Sequence, residues 1–295
     1  MYSYINNNYL VQIKEDGTKT RTFGAAPSPI YPESMDVKIT NYCDLGCPYC
    51  HEDSNKHGLH AVLDSSIFKN LPAGVEVALG GGSVLSHPGL VKFLTELRVI
   101  GLIPNITINA RHIAPNKELL KELLEDRLIF GLGISYAEGY LNDIISIHNY
   151  NTVIHLVAGV HPIEVLDEIA GAITPLKVLV LGYKNFRRGQ DFYEVCSREI
   201  GDNIYQWYVG VYKYFKSGLT VSFDNLAIEQ LNIKRFFTDD GWGNFYMGHD
   251  GQFTMYMDLV DKKYSVSSTS KERYDLLPKA EMMFSYIRSI STQVN

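Results

Sequence analysis

Met35-Asp36-Val37-Lys38-Ile39-Thr40 runs directly into Asn41-Tyr42-Cys43-Asp44-Leu45-Gly46-Cys47-Pro48-Tyr49-Cys50-His51, so a short strand-like run opens onto three cysteines in the pattern C-x3-C-x2-C. Those three are drawn from only four cysteines in the chain. Thiolate sulfur suits zinc or the iron of an iron-sulfur cluster better than hard, oxygen-seeking cations. A closed zinc site needs a fourth ligand, for which His51, His57 and the distant Cys196 are the candidates. Zinc modules usually bring their ligands as two separated pairs, and this is one tight triplet. A disulfide framework is not expected in a chain so poor in cysteine.

Downstream of the cysteines the hydrophobic pattern alternates between strand and helix. Strands are expected at 75–79, 105–109, 128–135, 153–157 and 176–181, and helices at 64–71, 88–100, from Asn116 through Leu124, and at 162–172. With the run at 35–40 this makes six strands alternating with helices, the pattern of parallel α/β construction. In a β/α barrel the loops after the strands' carboxyl ends gather on one face and build the site. The cysteine loop follows the first strand, Gly80-Gly81-Gly82-Ser83 the second, Asn109 ends the third, Ser135 the fourth, and Tyr183-Lys184 follow the sixth. Periodicity gives the alternation and does not show whether such a barrel closes.

The cysteine triplet, with the aromatic Tyr49 before its last member, resembles the cluster loop of radical S-adenosylmethionine (SAM) enzymes. The resemblance covers roughly residues 35–185. Leu79-Gly80-Gly81-Gly82-Ser83 is similar to the family's glycine motif, whose backbone approaches the methionine of SAM. Ser83 stands where an acidic or similar polar group is usual. Ile106-Thr107-Ile108-Asn109-Ala110 and Gly133-Ile134-Ser135-Tyr136 resemble the third- and fourth-strand segments, with Ala110 and Ala137 as departures. The family would imply a partial (β/α)6 barrel in which Cys43, Cys47 and Cys50 ligate three irons of a [4Fe-4S] cluster. The fourth iron would be left for SAM, and Tyr49, Gly80, Gly81, Gly82, Ser83, Asn109 and Ser135 would be the cofactor-binding residues. It further implies reductive cleavage of SAM, hydrogen-atom abstraction from a substrate, and an external flavodoxin or ferredoxin as electron donor. No acid/base pair is needed for that first step, and the sequence singles out no other catalytic residue.

Around this core, residues 1–34 read as an N-terminal extension containing a hairpin about Gly17, residues 35–190 as the barrel core, and residues 191–295 as a C-terminal α/β extension. The extension is expected to hold an aromatic helix at 202–217, a β-hairpin turning at His249-Asp250-Gly251 and a helix over the last twenty residues. That hairpin faintly resembles the C-terminal extension of peptide- and protein-modifying radical SAM enzymes. It lacks the cysteines that would hold auxiliary clusters, so one cluster is expected. A peptide or protein is the substrate class this implies, with a nucleoside or nucleotide as the alternative. A non-catalytic zinc module and a degenerate radical SAM partner subunit are the competing readings.

The chain has 295 residues and a net charge of -6, which disfavours an extended nucleic-acid surface. No membrane span or signal peptide is read from the sequence, and a cytoplasmic location is the expectation. Lys184, Arg187 and Arg188 form the one dense basic knot in the middle of the chain and read as a solvated loop. Cys196 reads as inert packing.

Overall fold

The computed structural model describes residues 1–149, 151–172 and 174–291. The chain begins with β1 (Tyr2–Asn6), β2 (Tyr9–Ile13) and β3 (Lys19–Phe23), an antiparallel three-stranded sheet in which the hairpin expected about Gly17 joins β2 to β3 and β1 adds a third strand. Period-two alternation in β2 buries Tyr9, Val11 and Ile13 on one side.

The main sheet starts with β4 (Ser34–Thr40), β5 (Glu76–Gly81), β6 (Ile103–Asn109), β7 (Gly131–Ser135), β8 (Thr152–Val157) and β9 (Lys177–Leu181), all six at the expected places and parallel to their neighbours. Four further strands join the sheet from beyond residue 190: β10 (Thr220–Phe223) pairs parallel with β9, β11 (Thr254–Asp258) pairs parallel with β4, and β12 (Lys263–Ser265) and β13 (Tyr274–Asp275) continue antiparallel. The order is β10-β9-β8-β7-β6-β5-β4-β11-β12-β13. The sheet therefore runs across the boundary expected at residue 190.

The helices are α1 (Leu90–Ile100), α2 (Lys117–Glu125), α3 (Leu141–Ser146), α4 (Val165–Ala170), α5 (Arg188–Gly210), α6 (Asn225–Gln230), α7 (Asp239–Phe245) and α8 (Ala280–Ser291). Helix α1 buries Leu90, Phe93, Leu94 and Leu97, and Gly101 at φ 94° closes it in a left-handed cap. Because consecutive strands lie side by side, right-handed crossovers place the connecting helices on one face of the sheet. Val77, Leu79, Ile106, Ile108, Leu132, Ile134, Ile154, Leu156, Val178 and Val180 are buried there. The alternate positions face the other way and are polar or small: Lys38, Ala78, Gly80, Thr107, Asn109, Gly133, Ser135 and His155.

Several local expectations are corrected. Residues 65–68 form one 3-10 turn, because Asp64 caps only Ser66 before Pro72 ends the segment. The aromatic helix begins at Arg188, is kinked at Cys196, and gives way to a 3-10 segment at 211–216. Residues 245–247 are not a strand. Thr238 caps α7 by accepting from the Gly241 N–H, and Trp242 and Phe245, three residues apart on the helix, pack against Phe237 just before the cap. The C-terminal hairpin instead joins β11 to β12. The last four residues of the helix expected at the C-terminus lie outside the described residues.

The N-terminal sheet lies against the amino ends of the parallel strands. Lys19 Nζ is 2.5 Å from Glu76 at the start of β5, Lys177 Nζ donates to the Asp16 carbonyl, and Asn151 Nδ2 donates to the Glu15 carbonyl at 2.8 Å. The opposite, carboxyl ends are left to the loops that carry the candidate site. Asn225, at the start of α6 after β10, donates through Nδ2 to Asp250 Oδ1 at 2.6 Å and to the Gly248 carbonyl at 3.2 Å, in the turn that precedes β11.

Candidate metal and cofactor site

Beyond β4 the backbone carries on in extended form to Tyr42 and is held by a returning segment. Cys43 N–H donates to the Asn55 carbonyl at 2.9 Å, Asn55 N–H to the Asn41 carbonyl at 3.0 Å, and Asn41 N–H to the Leu59 carbonyl at 2.8 Å. Between these ties the cysteines sit on a turn, with Cys50 N–H donating to the Cys47 carbonyl at 3.2 Å and Gly46 at φ 60°. All three thiols are free and half-buried. Burial pushes the Cys43 and Cys47 thiols above their ordinary values, a cost that a bound metal would reverse by holding the thiolate.

The glycine segment after β5 packs on this loop. Gly82 N–H donates to the Thr40 carbonyl at 2.8 Å and Ser83 N–H to the Tyr42 carbonyl at 2.6 Å. A Cβ on Gly82 would lie 2.0 Å from the Tyr42 carbonyl oxygen, and one on Gly81, at φ 111°, would lie 2.3 Å from that of Thr40. Two of the three glycines are therefore required by the close approach of the cysteine loop itself. A Cβ on Gly80 would meet nothing within 4 Å, so that position alone faces open space.

A cavity of about 170 Å³ opens beside the cysteine turn, lined by Cys47 and Tyr49 from the loop, Asn109 at the end of β6 and Arg111 just beyond it, and Tyr136 and Glu138 after β7. Asn109 also caps the following turn, its Oδ1 accepting from Arg111 N–H at 3.0 Å. Ser135 lies opposite Asn109 in the parallel register but does not line this cavity, and neither do Gly80 to Ser83. His161 forms the far wall, packs edge-on against Tyr136, and is pushed down to about 4 by burial. Burial, then the neighbouring Cys47, pushes Tyr49 up to about 12, so its hydroxyl stays protonated.

Sequence reading did not find the charged groups behind the loop. Lys38, 1% exposed, lies 3.1 Å from Glu52 and 3.0 Å from the wholly buried Asp258 of β11. Tyr256 donates to both Glu52 oxygens, at 3.0 and 3.2 Å, and Arg187 lies 3.6 Å from Glu52. His51 sits 3.3 Å from Lys184 Nζ and 3.5 Å from Glu52, and burial and then the Lys184 charge hold it well below its ordinary value. His51, Lys184 and Arg187 stood out in the sequence for other reasons, and nothing there showed that they meet Lys38, Glu52 and Asp258.

The donor chemistry fits an iron-sulfur cluster. Three thiols without a fourth cysteine would leave one iron free of a protein ligand, as open catalytic sites require. Of the fourth-ligand candidates for zinc, His51 is engaged with Lys184 and Glu52, His57 is exposed, and Cys196 lies on α5. Among the described residues the one group of metal-binding atoms lying within 4.8 Å of one another is Cys43, Asp44 and His112. His112 Nε2 is 2.8 Å from Asp44 Oδ1, and this hydrogen bond holds the Asp44 carboxyl below its ordinary value.

No family model matches the sequence, and no curated protein does. Solved structures do match by fold. Streptococcus suis SuiB bound to precursor peptide SuiA is 14% identical with a TM-score of 0.56, over 84% of this chain and 63% of that one. SuiB bound to S-adenosylmethionine is 14% identical with a TM-score of 0.51, over 84% and 62%. This chain thus spans less than two thirds of SuiB's length. The chain has the α/β fold of SuiB, and its Cys43-x3-Cys47-x2-Cys50 loop fits the cluster loop of radical SAM enzymes.

Proposed function

We propose that the protein is a radical SAM enzyme acting on a peptide or protein, with one [4Fe-4S] cluster on Cys43, Cys47 and Cys50. The observation that carries this reading is the position of the three-cysteine turn. It sits at the carboxyl end of the first of six sequential parallel strands and borders a polar cavity, in a fold shared with a protein seen with SAM and with a peptide. On this reading the sheet curves into a partial (β/α)6 barrel whose polar face, with Gly80, Thr107, Ser135 and His155, lines the substrate space.

The cluster and SAM would together supply the one-electron chemistry that generates a hydrogen-abstracting species. The chain's own residues bind and orient. Arg111 offers a cation for the SAM carboxylate, and Glu138 offers an acceptor for its ammonium in place of the acid that Ser83 lacks. Tyr49 and Asn109 shape the floor, and open Gly80 leaves room for backbone approach. A flavodoxin or ferredoxin is the proposed electron source.

The test is purification without oxygen, assay of iron and sulfide, and addition of dithionite and SAM. About four irons per chain with release of 5'-deoxyadenosine supports the proposal, and both should vanish when the three cysteines become alanine. One observation favours a second reading: Cys43, Asp44 and His112 would suit a zinc ion. Stoichiometric zinc that is lost in His112→Ala, with no SAM cleavage, would establish that reading instead.

A further inference from the structure

The basic knot that reads from sequence as a solvated loop is folded against the cysteine turn. Arg188 Nη1 donates to the Cys47 carbonyl at 3.0 Å, Nη2 to the Ser54 carbonyl at 2.5 Å, and Nε to Asp53 Oδ1 at 3.1 Å. One guanidinium thus joins the middle of the cysteine triplet to the segment that returns from it. Arg187 Nη1 donates to the Glu52 carbonyl at 3.0 Å and pairs with its carboxylate. Both side chains are about three-quarters covered, at 26% and 22% exposed, so these are not loose surface contacts. Arg187 adopts φ 52°, ψ -129°, a backbone conformation that a non-glycine residue occupies only under constraint.

We infer that Arg188, supported by Arg187, is a positioning residue for the cluster: it clamps the cysteine turn in ligating geometry and places a fixed cation against the backbone of Cys47. This inference rests on the cluster assigned above. Three donors in a planar fork satisfy three acceptors that no single ammonium can reach together. A cation beside a cluster favours the reduced, more negative state, and net charge and hydrogen bonding are what set such potentials. The strained turn at Arg187 delivers both guanidinium groups to one loop.

The experiment uses the full chain and two variants, Arg188→Ala and Arg188→Lys. Amide hydrogen exchange is followed in the metal-free protein, and the midpoint potential of the reconstituted cluster is read by electron paramagnetic resonance. In Arg188→Ala the amides of Cys43, Cys50, Asp53 and Asn55 should exchange about tenfold faster while β6 and β7 are unchanged. Its potential should fall by about 59 mV, a tenfold change for one electron. Arg188→Lys should retain a potential near wild type yet keep the fast exchange, separating charge from fork geometry. Wild-type exchange rates in either variant overturn the clamp, and an unshifted potential in a fully loaded Arg188→Ala overturns the electrostatic role. If the triple Cys→Ala protein still binds iron and sulfide, the ligand assignment fails, and the metal-free exchange measurement still decides the clamp.

Discussion

Gly80 and Gly82 stand two residues apart and should respond to the same substitution in opposite ways. Gly82→Ala drives a methyl to 2.0 Å from a backbone carbonyl that cannot move without displacing the cysteine loop. A loss of about 3 kcal/mol or more is expected, typical of strain with no room to relax. Gly80→Ala enters open space and should change stability by less than about 1 kcal/mol, while impairing SAM cleavage if the cofactor fills that space. Urea unfolding alongside a 5'-deoxyadenosine assay separates the two, and equal destabilisation would refute the distinction. His155 supplies a pH test. Burial, reinforced by Lys184, holds its pKa down to about 4, so on acidification the unfolded chain takes up the proton first. The stabilisation is complete above about pH 6.5 and is lost as pH falls toward 4. By pH 5 the loss is about 2 kcal/mol. In His155→Gln the difference in urea midpoint between pH 7 and pH 5 should shrink accordingly. The variant is compared with wild type at both pH values, so that the titration of every other group cancels.

At the scale of elements, the buried network beneath the cysteine loop joins three separate parts of the chain, and Lys38 is its hub. Lys38→Met leaves Glu52 and Asp258 facing one another's surroundings with only Arg187 and Arg273, at 3.6 and 3.8 Å, as remaining cations. Stranding buried carboxylates costs about 3–5 kcal/mol, so a large drop in urea midpoint is expected, and a change under about 0.5 kcal/mol would show the network to be dispensable. None of it was legible beforehand, since Lys38 and Asp258 are far apart in sequence and meet only because β11 pairs with β4. The six alternating strands were legible because Val, Ile and Leu recur with period two between glycine and polar breaks. Strand β10 was not, because Thr220-Val221-Ser222-Phe223 is too short and polar to stand out. The strand expected just before the His249-Asp250-Gly251 turn is absent, because Phe245 ends α7 and packs with Trp242 and Phe237 instead. The cysteine spacing marked the candidate metal site, whereas His112, Arg111 and Arg188 reach the loop only through folding.

For the whole molecule, the expected division into an N-terminal extension, a core and a C-terminal extension makes a claim about independence that can be measured. The first sheet buries Tyr4, Tyr9, Val11 and Ile13, and Arg21 ties it onward through Glu33 at 2.7 Å, the Met247 carbonyl at 2.9 Å and the Phe253 ring at 3.7 Å. It thereby touches both the start of β4 and the approach to β11. Buried Glu33 depends on it for three partners, Arg21, Lys19 and the Tyr9 hydroxyl. Deleting residues 1–24 would expose the apolar amino ends of the central strands and leave Glu33 buried without a cation. The expected outcome is a poorly soluble or strongly destabilised protein, because the extension and core share one hydrophobic interior. In the intact chain, thermal unfolding should show a single cooperative transition, with near-ultraviolet and far-ultraviolet signals changing together. Two separated transitions, or a truncated chain that melts within a few degrees of wild type and still loads iron, would show that the first sheet is an independent appendage.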